Sequence, residues 1–110
     1  MKAALREQFE RLALRGAELE SVLSDPSVAS DMKRYRSLLK EQAEVQAVLN
    51  RWARFRQRES DLAAAQELLA GDLGADVDMA AMAREEAEQA QAELLQLSGE
   101  LQAALLPKDP

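Results

Sequence analysis

The chain has 110 residues, a formal net charge of −6, and neither cysteine nor histidine. Disulfides, thiolate metal sites, a cysteine nucleophile and the commonest general base are therefore excluded, and the acidic balance has the wrong sign for a general phosphate binder. With 47% hydrophobic but only 4% aromatic residues, the apolar surface must come from Leu, Ala, Val and Met, which suits packed helices better than a sheet core.

From Leu5 the apolar or small positions run Leu5, Phe9, Leu12, Gly16, Leu19 and Leu23. Alternating steps of four and three keep one seam of a helix facing a partner, as in a coiled coil. The helix is expected to stop in "SDPSVASD", residues 24–31. Pro26 lacks an amide hydrogen and biases Asp25 out of the helical region, while Ser30 or Asp31 can cap the next helix.

The second seam reads Tyr35, Leu38, Gln42, Val45, Leu49, Trp52, Arg56, Glu59, Ala63, Gln66 and Leu69, widened by Leu39, Phe55 and Leu62. It predicts a helix of roughly 38 residues, about 57 Å long at 1.5 Å per residue. Such a helix needs lateral partners, because isolated helices are marginal in water. The break "GDLGADVD", residues 71–78, offers Gly71 for a left-handed C-terminal cap and Asp76 or Asp78 for the start of the next helix. That third helix carries Met79, Met82, Ala83, Ala87, Ala90, Leu94, Leu97, Leu101 and Leu105 before Pro107 ends it. Short connectors make the helices run up, down and up. The expected fold is thus all-α, an elongated antiparallel three-helix bundle of coiled-coil type with a long central helix. Leu12, Leu19, Leu38, Val45, Leu49, Trp52, Leu97 and Leu101 should be mostly buried.

"NRWARFRQRES", residues 50–60, interleaves arginines with aromatics and has the look of a nucleic-acid grip. Formal charge is zero over residues 1–24, +1 over 25–70 and −7 over 71–110, so the acid lies in the last helix. Arg51, Arg54 and Arg58, spaced by three and four, would then have Glu85, Glu86 and Glu88 within reach, with Trp52 and Phe55 on the apolar side. A basic stripe acting within the fold is the simpler reading, and a ribosome or partner contact through Arg51, Arg54 and Arg58 is the other. Binding of generic nucleic acid by the chain alone is not expected.

Other candidate sites are weaker. Counted from Asp72, a calcium-loop reading puts Val77 where a glycine is needed and Ala83 where a bidentate glutamate is needed. Glu85 and Glu86 point to different sides of a helix, whereas paired acid–base work needs facing carboxylates. The seven serines have no histidine to activate them, and no glycine-rich phosphate loop is present. The residues alone therefore describe a non-enzymatic helical interaction or spacer module without a cofactor or metal. No apolar run approaches the roughly 18 residues of a membrane span, and "MKAALREQFE" is charged throughout, unlike a signal peptide.

Three blocks carry a resemblance. "LSDPSVASDMKRYRSLLKEQAEV" (Leu23 to Val45), "DMAAMAREEAEQAQAEL" (Asp78 to Leu94) and "LQAALLPKDP" (Leu101 to Pro110) resemble the first domain of bacterial class I peptide chain release factors, in order and without a gap. "LLPKDP" is the most specific, since it is similar to the branch that reads UAA and UAG and is lacking from the sister branch. The resemblance implies a helical N-terminal domain over residues 1–106, with 107–110 beginning the linker to a second domain. The family reads stop codons with a proline-containing tripeptide in that second domain and triggers peptidyl-tRNA hydrolysis with Gly-Gly-Gln in a third, and neither motif occurs in this sequence. The chain thus reads as an excised first domain, cytoplasmic, acting in translation termination by positioning and docking. The implied partners are the ribosome on the stalk-base side of the large subunit, the GTPase release factor, and the glutamine methyltransferase that modifies the full factor. No contact residue can be carried over. A free-standing helical adaptor, or a homodimeric coiled coil, is the alternative.

Overall fold

A computed structural model describes residues 1–107, so the linker expected at 107–110 lies, beyond Pro107, outside the described residues. All secondary structure among the described residues is helical: α1 (Ala3–Leu23), α2 (Pro26–Ala29), α3 (Met32–Ala70), a 3-10 turn (Asp72–Ala75) and α4 (Val77–Ala104). The all-α expectation holds, and α3, with 39 residues, is about 58 Å long at 1.5 Å per residue. Packing divides the chain into two compact units, one ending at Asn50 and the other beginning at Arg51.

In the first unit α1 and the start of α3 run antiparallel, and the connection is more structured than a bare turn. Asp25 is extended and accepts hydrogen bonds from the Ser27 amide and hydroxyl, both at 2.9 Å, with Pro26 opening the four-residue α2. Asp31 then caps α3 by accepting from the Arg34 amide at 3.2 Å, while the Ser30 hydroxyl turns back to donate to the Ser27 carbonyl. Phe9, Leu19, Val28 and Val45 are buried, and Leu12, Leu38 and Leu49 are half-buried. The glycine in the α1 seam permits close approach: a Cβ on Gly16 would sit 2.9 Å from Leu49 Cδ1 and 3.5 Å from Val45 Cγ1. Arg15 locks the pair by donating to both oxygens of Glu41, at 2.6 and 2.7 Å, and to Glu18 at 2.7 Å.

In the second unit α4 doubles back along α3. Trp52 and Phe55 are buried and stacked, with centroids 5.8 Å apart. Beyond Trp52 the seam departs from the expected positions. Phe55, Arg58 and Ala65 are buried, whereas Arg56, Ala63 and Gln66 are exposed and Glu59 is half-buried. Burying the Phe55 ring instead of a charged Arg56 takes the seam through two successive three-residue steps, a local break in the alternating spacing. Arg56 instead lays its guanidinium 5.6 Å from the Trp52 ring centre.

Two further expectations are corrected here. Gly71 is extended (φ −93°, ψ −173°), so no left-handed cap forms, and its amide donates to the Glu67 and Leu68 carbonyls. The glycine that the turn requires is Gly74, where a Cβ would lie 2.3 Å from the Leu69 carbonyl oxygen. Asp76 caps α4 by accepting from the Asp78 and Met79 amides, both at 3.0 Å. The α4 seam is Ala80, Ala83, Ala87, Ala90, Leu94, Leu97 and Leu101, all buried or half-buried, while Met79 and Met82 stand outside it with Met82 69% exposed. Near the turn the buried positions are alanines, and the methionines stand exposed beside them.

Leu19 and Leu101 are fully buried in their respective units. Replacing either by Ala should cost about 2–5 kcal/mol in urea denaturation, through lost transfer energy and a residual cavity. Leu14→Ala, at a 71% exposed position, should leave the midpoint nearly unchanged.

Candidate functional site

The arginines singled out by the sequence form a ladder against α4. Arg51 Nε lies 3.5 Å from Glu100, Arg54 makes a bidentate pair with Glu93, and Arg58 donates through Nη1 to Glu86 at 2.6 Å and Asp61 at 2.9 Å. Rising numbers on α3 meet falling numbers on α4, which is the antiparallel pairing stated as charge. Of the three acidic neighbours expected, only Glu86 takes part; Glu85 instead accepts from Gln89 within its own helix. Glu93 and Glu100 complete the ladder unanticipated, although the sequence holds a signal for them. Glu86, Glu93 and Glu100 recur every seven residues, each immediately before a seam residue (Ala87, Leu94, Leu101), the flanking position that carries interhelical ion pairs in coiled coils.

The rungs differ in burial. Arg51 and Arg54 keep 47% and 51% of their side chains exposed, so their pairs are surface ion pairs of modest worth. The Arg58 side chain is only 9% exposed, on the seam itself. Burial works against its charge, but hydrogen bonds to Glu86 and Asp61 outweigh that and hold its pKa above the ordinary arginine value. Its Nε sits 3.1 Å from Glu93 without hydrogen-bond alignment. The hydrogen bond from Arg54 keeps the Glu93 carboxyl below its usual value, and Gln57, with Arg58 adding to it, does the same for Asp61. These guanidiniums neutralise carboxylates of their own fold. The arrangement holds α4 in register along α3.

A second feature lies where the two helices approach their connecting turn. Ala64, Ala65 and Leu68 of α3 and Met79, Met82 and Ala83 of α4 line an open groove of about 520 Å³. A smaller hollow of about 420 Å³ continues past Ala64 and Leu68 to Gly71, Asp72 and Leu73. Among the described residues no group of His, Cys, Asp and Glu is placed to hold a metal ion, and no helix is long and apolar enough to cross a membrane.

Comparison with known proteins bears on the whole chain. A PCRF domain is matched over residues 12–110. The chain is 53% identical over all 110 residues to proteins named peptide chain release factor 1 from Delftia acidovorans and Paracidovorax citrulli, and 52% identical to one from an Acidovorax species. It spans 29% of the length of each of these curated relatives. No solved structure matches it significantly.

The ladder predicts unequal mutants. Arg58→Met, which removes the hydrogen bonds to Glu86 and Asp61 but leaves both carboxylates partly exposed to water, should lower the thermal midpoint by about 4–8 °C. Arg51→Gln should shift it by no more than about 4 °C.

Acid should loosen the second unit in a defined window. Because folding depresses the Glu93 and Asp61 pKa values, the stability they confer is complete above their ordinary values of 4.5 and 3.8, and is lost as pH falls through the lower folded-state values. Urea midpoints measured from pH 7 downward should therefore fall below about pH 4.5. The fall should flatten in Arg54→Gln, which removes the bond that holds Glu93 ionised.

Proposed function

The chain belongs to the PCRF-domain family of peptide chain release factors, and on that premise we propose that it is the helical N-terminal domain, residues 1–106, of a factor that ends translation at stop codons. The observation that carries the reading is the coincidence of that family match with identity of about half over all 110 residues. The same coverage weighs against a free-standing adaptor.

The role is position and docking without catalysis. A chain without histidine or cysteine, whose conspicuous arginines are engaged by its own carboxylates, contributes surfaces and shape to a longer factor. The codon-reading tripeptide and the Gly-Gly-Gln motif belong to other domains of that factor. In the full-length protein the partners are the ribosome, on the stalk-base side of the large subunit, the GTPase release factor and the glutamine methyltransferase. The setting is the cytoplasm. The chain takes no cofactor and does not bind generic nucleic acid by itself.

A chimera tests the assignment. The chain is joined to the remaining domains of the Delftia acidovorans relative and compared, on stop-programmed ribosomes, with the same factor lacking this segment, with and without the GTPase factor. The truncated protein should keep part of its stop-dependent hydrolysis and lose its response to the GTPase factor. Complete loss of hydrolysis in a well-folded truncated protein would show that the segment does more than dock. An unchanged response to the GTPase factor would remove that partner.

A further inference from the structure

We propose that the groove between the end of α3 and the start of α4 is a docking surface for a basic amphipathic helix of a protein partner. Its apolar character is unusual for an exposed face. Met82 is 69% exposed, Leu73 58%, Val77 80% and Met79 36%, all near the turn, where the seam consists of Ala65, Ala80 and Ala83. Alanines form the floor and flexible methionines the wall, a combination that adapts to an inserted side chain. Exposed apolar patches rimmed by polar groups mark interaction sites, and the shape suits a helix laid in a groove through residues one turn apart.

Charge selects the occupant. Residues 59–83 carry six carboxylates and no lysine or arginine, so the net charge of −6 is that of this segment alone, and the rest of the chain is neutral. Asp61 and Glu86 are committed to Arg58, and Asp76 caps α4. Glu67, Asp72 and Asp78 have no arginine or lysine partner among the described residues. Glu67 and Asp72 line the smaller hollow that continues the groove past Ala64 and Leu68, and give that end an uncompensated negative rim. Nucleic acid and anionic lipid are repelled by such a rim, and a second copy of the chain would bring the same charge against it. A helix presenting Leu-type side chains with Lys or Arg on either side satisfies the floor and the rim together.

This rests on the docking role proposed above, and its test, made on the chain alone, can fail while the termination assay succeeds. The probe is a fluorescein-labelled peptide of about 14 residues in which Leu follows helical spacing and Lys fills the remaining positions, giving a helix about 21 Å long. Comparators are the same composition in scrambled order and the same pattern with Glu in place of Lys. The patterned basic peptide should bind saturably, with Kd on the order of micromolar, and more weakly as salt rises. Amide signals of Leu68, Met82 and Ala83 should shift on titration. Met82→Glu and Leu73→Glu, both at exposed positions, should each weaken binding by about tenfold with circular dichroism unchanged. The double variant Glu67→Gln/Asp72→Asn should lower affinity while reducing the salt dependence. Equal binding of the scrambled or acidic peptide, or affinity unaffected by Met82→Glu and Leu73→Glu, overturns the proposal. So does the absence of binding by all three peptides. Sedimentation that reveals a dimer abolished by Met82→Glu would assign the groove to a second copy and overturn it equally.

Discussion

The second unit depends on a guanidinium buried in its seam. Where α4 meets the latter part of α3, the facing residues are chiefly Ala65, Ala80, Ala83 and Ala90. A buried methyl contributes about 0.8 kcal/mol, whereas a buried leucine contributes about 1.5–3 kcal/mol, so this stretch is weakly driven. An alanine face is also undiscriminating, because a helix slipped by one turn would offer much the same surface. Arg58 removes the ambiguity: desolvated on the seam, it is tolerable only when Glu86, Asp61 and Glu93 surround it. The heptad spacing of Glu86, Glu93 and Glu100 extends that one match into a ladder, and the leucines at positions 97 and 101 supply the apolar burial that the alanines do not.

The first unit solves the same problem by other means. Phe9, Leu19, Val28 and Val45 are its buried apolar residues, none of them an alanine, and Gly16 sets the depth of contact by bringing Leu49 within reach of its own backbone. Arg15 and Glu41 make a bidentate clamp between α1 and α3, and it remains over a third exposed on both sides, so it guides the pairing more than it drives it. The short α2 is a consequence of capping chemistry. An extended aspartate followed by proline at the first helical position starts a turn of helix on its own, and Asp31 starts the next one three residues after Val28.

The pattern of apolar residues made most of this legible, and it failed where two signals competed. The three long helices, the proline break and an aspartate cap at position 76 or 78 follow from periodicity and backbone chemistry with no tertiary information, whereas the short α2 does not. The α4 seam near the turn does not, because Met79 and Met82 are more hydrophobic than Ala80. Yet the strict alternation of threes and fours counted back from Leu101 arrives at Ala80, and spacing was the better guide there. The reverse holds after Trp52, where spacing pointed to Arg56 and the structure buries Phe55. Gly71 and Gly74 show a different limit. Both are plausible turn glycines by composition, and only the 2.3 Å approach to the Leu69 carbonyl reveals which one cannot carry a side chain. The burial of Arg58 was illegible for a similar reason, since a charged side chain enters a seam only when partners from another helix arrive, and those partners lie 28 and 35 residues away.

The ladder also determines where the net charge is felt. Arg51, Arg54 and Arg58 are answered by carboxylates seven residues apart on α4, so the arginine-rich stretch, which as sequence suggests a polyanion grip, presents little uncompensated positive field in the folded unit. Once those charges cancel, Glu67 and Asp72 near the turn remain without a basic partner, in the region of the exposed methionines. Near the turn an exposed apolar set, Leu73, Val77, Met79 and Met82, stands beside an acidic set, Glu67 and Asp72. A contiguous surface of that composition discriminates by sign of charge first and by apolar fit second, which is the order of events in electrostatically steered association.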